Sequence, residues 1–115
     1  METIRNSPNI EILAHHYVID LITQHHVPGK ELDKGNINAY GAYILDEQNK
    51  KIKKITSKIT LVATGGAGHV YKNTTNPIIA TGDGIAFVHR AQGKVSNMQY
   101  YQFHPTAMYS KRDGM

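Results

Sequence analysis

The sequence predicts a mixed fold of short strands and one helix, α+β when the segment is taken by itself. Three observations lead there. Runs rich in β-branched and aromatic residues recur at short spacing, as in His16-Tyr17-Val18-Ile19-Asp20-Leu21-Ile22-Thr23. A single stretch, Ile85 to Gln92, carries apolar residues at helical rather than strand spacing. An apolar strand candidate, Ile59 to Ala63, runs directly into the glycine cluster Gly65-Gly66-Ala67-Gly68.

Taken in order, Asn9 to Leu13 alternates well enough for a strand, and His16 to Thr23 makes a second. Pro28-Gly29 ends that run, and Lys30 to Asn38 is polar and reads as a loop. Tyr40 to Leu45 is a strand, Asp46-Glu47-Gln48-Asn49 a turn, and Lys51 to Thr56 the returning partner. In the helix, Ile85, Val88 and Gln92 share one face, with Ala86, Phe87 and Ala91 adding apolar bulk. Thr81 or Asp83 is expected to cap its start, and Gly93 to end it in the left-handed conformation. Val95 to Tyr101 is again strand-like. Both ends read as internal to a longer chain, because Pro8 enters a strand with no upstream partner and Ser110 to Met115 brings no closing element.

Composition narrows the functional classes. With 115 residues, 40% of them hydrophobic and 19% charged, the chain falls among soluble globular sequences of one small domain. No apolar run approaches the roughly 18 residues of a membrane-spanning helix, and the first residues lack a secretory apolar core. The absence of cysteine removes disulfides and thiolate chemistry and fits a cytoplasmic setting. The net charge of +4 owes much to the lysines between Lys50 and Lys58. No aromatic residue interleaves them, so they read as a charged strand edge that resists aggregation, not as a nucleic-acid surface. The His15-His16 and His25-His26 pairs are poor metal ligands, since neighbours on a strand point to opposite faces and no i, i+4 partner accompanies them.

Three motifs carry possible chemistry, each with a structural alternative. Ala63-Thr64-Gly65-Gly66-Ala67-Gly68 lets a cofactor lie against bare backbone, or is a plain tight turn; its spacing is not the Gly-x-Gly-x-x-Gly dinucleotide fingerprint. In Thr81-Gly82-Asp83-Gly84 the carboxylate accepts hydrogen bonds from a ribose or polyol, or merely caps the helix. In Gln102-Phe103-His104-Pro105-Thr106 polar side chains can converge on a carboxylate, or His104 satisfies a local partner.

These segments together resemble the FAD-binding region of L-aspartate oxidases, within the succinate dehydrogenase and fumarate reductase flavoprotein superfamily. The matching text covers roughly residues 7 to 109. It includes Leu61 to Gly68, Val70-Tyr71, Thr74-Thr75-Asn76-Pro77, Ala80 to Ala86, Arg90-Ala91 and Gln102 to Tyr109. Thr-Gly-Asp-Gly followed by Gln-Phe-His-Pro-Thr points to dicarboxylate-handling flavoproteins, while Thr-Thr-Asn-Pro and Ala107-Met108-Tyr109 favour aspartate oxidase over the dehydrogenases. Gln99 and Gln92 depart from the glutamate and glycine usual at those places.

The resemblance implies an α/β, two-dinucleotide-binding-type FAD domain with an antiparallel β-meander, leading into a capping domain. Residues 1–109 would be a partial FAD-binding domain and residues 110–115 the start of the connection toward the capping domain. Ala63, Thr64, Gly65 and Asp83 would touch FAD; Gln102 and His104 would bind the dicarboxylate. The whole protein would oxidise L-aspartate to iminoaspartate, with oxygen or fumarate as acceptor, and feed quinolinate synthase in NAD biosynthesis. No catalytic residue is expected in this segment: the family's arginine base would lie beyond Met115, and Arg112 does not take its place. The segment alone is expected to be inactive, to lack tightly bound FAD, and to expose apolar surface open to self-association. The rival expectations are a fumarate reductase or succinate dehydrogenase flavoprotein and a non-catalytic structural piece.

Overall fold

A computed structural model describes residues 2–29 and 36–108. Its organising element is an antiparallel sheet of strands β1 (His16–Thr23), β2 (Ala39–Asp46) and β3 (Lys51–Thr56), in the order β1-β2-β3. Among the described residues, two helices, α1 (Glu2–Arg5) and α2 (Asp83–Arg90), and two 3-10 turns, Gln24–His26 and Gly68–Val70, complete the regular structure. This is compatible with part of an α/β FAD-binding fold.

The β2–β3 hairpin forms where its turn chemistry places it. Asp46 Oδ1 accepts the backbone N–H groups of Gln48 and Asn49 at 3.1 and 3.0 Å, closing the loop on a side chain. Lys50 then takes the left-handed conformation (φ 53°) that brings the chain back into β3. Gly41 sits where β3 comes closest: its φ is +136°, and a Cβ there would fall on the Ile55 carbonyl oxygen. No L-residue with a side chain fits that place without moving β3.

β1 pairs with β2 from His16↔Asp46 to Thr23↔Ala39, with a register shift between Val18 and Asp20. The extra residue, Ile19, is a bulge, and bulges bend a strand and free a carbonyl from the ladder. Below it Leu21, Ile22 and Thr23 are buried, as are Ile44 and Asp46 of β2. α2 lies against β1 and buries Gly84 and Phe87. The buried face of the helix is therefore centred on Phe87, and Gln92 is exposed, unlike the Ile85-Val88-Gln92 face expected from spacing.

Other expectations are corrected too. Asn9–Leu13, Ile59–Ala63 and Val95–Tyr101 form no strands. A strand is defined by its ladder, and these runs find no partner among the described residues; Ile59 and Leu61 are both 87% exposed. The helix spans 83–90 rather than 85–92, and neither Thr81 nor Asp83 caps it. Gly82 is the N-cap in the left-handed conformation, and the Thr81 hydroxyl turns back to the Ile79 carbonyl at 3.4 Å. At the other end Gln92, not Gly93, is left-handed (φ 60°), while the Gly93 N–H returns to the Val88 carbonyl at 2.9 Å. Of the Lys30–Asn38 loop only 36–38 fall among the described residues, and the expected connection at 110–115 lies outside them.

The radius of gyration is 17.7 Å, against about 13 Å for a compact chain of this length. The buried set is correspondingly small, while Ile10, Ile12, Leu61, Ile78 and Ile79 stand in the open. The hydrophobic segments at 9–13 and 59–62 thus present faces that the described residues leave uncovered.

Candidate functional site

The two glycine-bearing motifs, distant in sequence, are stitched together by backbone. The Gly82 N–H donates to the Gly66 carbonyl at 3.2 Å, and the His69 N–H to the Ala80 carbonyl at 2.9 Å. Close approach depends on missing side chains. A Cβ at Gly82 would lie 2.8 Å from the Ala67 Cβ, and one at Gly84 would collide with the Thr64 hydroxyl. The segment 62–66 is thereby held across the start of α2.

Ala63, Thr64 and Gly65 line a groove of about 370 Å³ shared with Gly84, Ile85 and Val88 of α2 and with Lys94-Val95-Ser96. Gly65 is left-handed (φ +77°), which accounts for its identity, but Gly66 is not, and a Cβ on either would meet nothing within 4 Å. Packing among the described residues does not require glycine at 66. Bare backbone facing open space at Gly65, which lines the groove, and at Gly66 beside it is what close approach by a cofactor needs. The residues present therefore fit such a group.

Asp83, the first residue of α2, does not line this groove; it occupies the first helical turn, and no side chain caps the helix. The structural alternative for Asp83, that it serves as the cap, is removed. Its carboxylate stays available beside a helix N-terminus.

Gln102 and His104 are brought together in a second cavity of about 250 Å³. Its other walls come from Gly68, Tyr71, the run Asn73 to Asn76, Tyr101, Phe103, Ala107 and Met108. Within it, Asn76 donates both its backbone N–H and its Nδ2 to the Thr74 hydroxyl, at 3.1 and 3.0 Å. The side chain of Asn76 also packs on the buried Gly68, where a Cβ would strike it. Gly65 lines the groove and Gly68 the cavity, so the two are joined by a stretch of backbone at most about 11 Å long.

Gln102 and His104, expected from their motif, line this cavity, as do Tyr71 and Asn73, which no motif marks as site residues; Lys94, Val95 and Ser96 likewise line the groove without one. Thr-Thr-Asn-Pro, which carries the family resemblance, is also a built turn through its internal hydrogen bonds.

The strand geometry expected of both histidine pairs holds only at His16, which opens β1, while His15 before it is left-handed (φ 56°). His25 and His26 lie in a 3-10 turn, and their Nδ1 atoms both face the Thr23 hydroxyl, at 2.9 and 3.4 Å. His26 Nδ1 also accepts the Thr23 N–H at 3.1 Å, so its lone pair is engaged. His16 Nδ1 meets the Ala14 carbonyl at 2.7 Å. Among the described residues no three of His, Asp and Glu gather as metal ligands would, and no helix is long and apolar enough to cross a membrane.

A glycine loop stitched across a helix start, beside a cavity lined by amide, hydroxyl and aromatic side chains, is the arrangement a nucleotide-cofactor-binding region calls for. The chain belongs to the FAD-binding domain family, whose signature matches residues 1–115. More particularly, it is similar to L-aspartate oxidases. It is 45% identical over 108 residues to the chloroplastic L-aspartate oxidase of Arabidopsis thaliana, covering 94% of this chain and 16% of that protein. The figures are 46% with the chloroplastic enzyme of Oryza sativa subsp. japonica, over the same shares. L-aspartate oxidase 1 of Ralstonia nicotianae is 44% identical over 109 residues, 95% of this chain and 20% of that protein. The chain thus spans a fifth or less of the length of these relatives.

Proposed function

We propose that this chain is the part of an L-aspartate oxidase that carries one wall of the FAD site and the dicarboxylate-binding pair. The observation that carries the reading is the meeting of Gln102 and His104 with Thr74-Thr75-Asn76 in one cavity, three residues of backbone from the glycine groove. Relatives named L-aspartate oxidase match this whole stretch.

In the proposed site Ala63, Thr64 and Gly65 lie against FAD, and the Asp83 carboxylate accepts hydrogen bonds from one of its hydroxyls. FAD, when bound, accepts the hydride. The residues of this chain bind and orient: the Gln102 amide and a His104 ring N–H donate to substrate carboxylate oxygens, holding the α-carbon toward the groove. L-Aspartate loses two electrons and two protons to become iminoaspartate, and oxygen or fumarate takes up the electrons. The base that removes the proton lies outside this chain. Quinolinate synthase would consume the product, and a cytoplasmic setting belongs to the same proposal; the plant relatives are chloroplastic by name.

The three-stranded sheet would be the antiparallel meander of the FAD domain, with residues 1–109 in that domain and 110–115 leading toward a capping domain. The uncovered apolar segments would meet the rest of the protein; taken alone, the chain would self-associate through them.

The test is turnover by the whole protein carrying this chain. L-Aspartate is expected to reduce the bound flavin faster than succinate does. Faster turnover of succinate would overturn the assignment in favour of a succinate dehydrogenase or fumarate reductase flavoprotein.

A further inference from the structure

Tyr71, Tyr101 and Phe103 form a closed set of three rings. The centroids lie 4.7 Å apart for Tyr71–Tyr101, 5.2 Å for Tyr71–Phe103 and 5.0 Å for Tyr101–Phe103, all tilted or edge-on. Those are the separations and angles at which aromatic pairs attract.

The rings stand on unequal foundations. Tyr71 follows the 3-10 turn Gly68–Val70 and returns its N–H to the Gly68 carbonyl at 3.3 Å, while His69 of that turn is bound to Ala80. Tyr71 thus belongs to the stitched body of the site. Tyr101 and Phe103 belong to a segment with no regular secondary structure, and the backbone hydrogen bond just before it, Tyr100 N–H to Asn97 carbonyl at 3.0 Å, closes only a local turn. The ring contacts tie this segment to the body. Gln102 and His104 are the sequence neighbours of the two anchored rings and line the same cavity, so fixing the rings at 101 and 103 against Tyr71 also fixes the backbone that carries the pair.

We propose that Tyr71 is a positioning residue for the carboxylate-binding pair Gln102 and His104, acting through the rings of Tyr101 and Phe103. The inference rests on the reading of that pair as the dicarboxylate site. Its working part is the ring and not the hydroxyl, which makes no hydrogen bond among the described residues. The competing account is a plain apolar patch, whose loss lowers stability without touching ligand binding.

The experiment uses the whole FAD-loaded protein and succinate as a non-amino dicarboxylate probe, titrated by perturbation of the flavin spectrum. Tyr71→Ala is expected to weaken succinate binding roughly tenfold, as loss of two ring pairs implies. KM for L-aspartate should rise in parallel, with kcat changed far less and FAD content kept. Tyr71→Phe should restore binding to within about twofold of the natural protein, since ring pairing needs no hydroxyl. Natural affinity in Tyr71→Ala, or equal losses in the Ala and Phe variants, overturns the proposal. Should Tyr71→Ala lose FAD, Tyr71→Leu keeps apolar volume without a ring and decides the matter: natural succinate affinity there sinks the idea. His104→Ala serves as the separate control. If it binds succinate normally, the dicarboxylate reading fails, whatever Tyr71 does.

Discussion

Arg90, the last residue of α2, donates its Nε to Asp20 Oδ2 at 2.9 Å and its Nη2 to the Ile19 carbonyl at 3.1 Å. The second bond exists because the bulge between Val18 and Asp20 frees that carbonyl from the ladder. One guanidinium therefore reads both the charge and the backbone irregularity of β1, and fixes where the end of α2 lies on the sheet.

Replacing Arg90 by Lys should retain the charge but lose the two-pronged contact. The pair is half exposed, so its coupling is expected to be small, about 0.5 kcal/mol, and to fall with salt. A double-mutant cycle of Arg90→Ala and Asp20→Ala in urea measures it. Zero coupling at low salt would show that the pair does not hold α2 in place.

The helix end gives a stability prediction of the opposite sign. Gln92 occupies a left-handed position at φ 60°, which glycine adopts without the steric cost a side chain meets. Gln92→Gly should stabilise the protein by about 1 kcal/mol, less whatever the exposed contact of Gln92 Nε2 with His25 Nε2 contributes. A lower midpoint in denaturant would show that the His25 contact outweighs the backbone strain.

What the sequence reveals and what it hides divide along the range of the interaction concerned. The β2–β3 hairpin was legible because Asp46 satisfies its own turn within a few residues. The start of α2 was misplaced because its cap is a left-handed Gly82 held by Gly66, a contact across the chain, rather than the side chain of Thr81 or Asp83. Asn9–Leu13 and Ile59–Ala63 have strand composition but no partner among the described residues, and composition cannot supply one. In the candidate site, the glycines and the Gln-x-His motif are legible as local patterns, whereas the ring contacts of Tyr71 come from Tyr101 and Phe103 far along the chain, which no local pattern signals.

Asp46 supplies the pH prediction. It is buried, and its Oδ2 accepts Lys53 Nζ at 2.7 Å and Asn49 Nδ2 at 2.8 Å. The hydrogen bond from Lys53, and then those from Asn49, hold its carboxyl well below the ordinary value of 3.8. A carboxylate depressed on folding stabilises the fold at pH above its unfolded value, and that contribution is lost as pH falls through the folded one. Hairpin stability should therefore decline on acidification from roughly pH 4 downward. In Asp46→Asn the decline should be flatter, from a lower starting stability. Equal acid sensitivity in the two proteins, followed by circular dichroism, would assign the effect to other carboxylates.

The division of labour proposed for the site predicts a double dissociation. Asp83 sits at the start of α2 without capping it, whereas His104 lies in the cavity beyond Gly68. In the whole protein, Asp83→Ala should lower FAD content and leave the substrate preference of the remaining loaded fraction unchanged. Loss of one charge-assisted hydrogen bond corresponds to roughly tenfold or more in cofactor affinity. His104→Ala should do the reverse, keeping FAD bound while raising KM for L-aspartate. Flavin absorbance per protein, measured beside steady-state kinetics, separates the two. Loss of FAD in His104→Ala would show that the cavity and the groove form one site, in which the histidine serves the cofactor rather than the dicarboxylate.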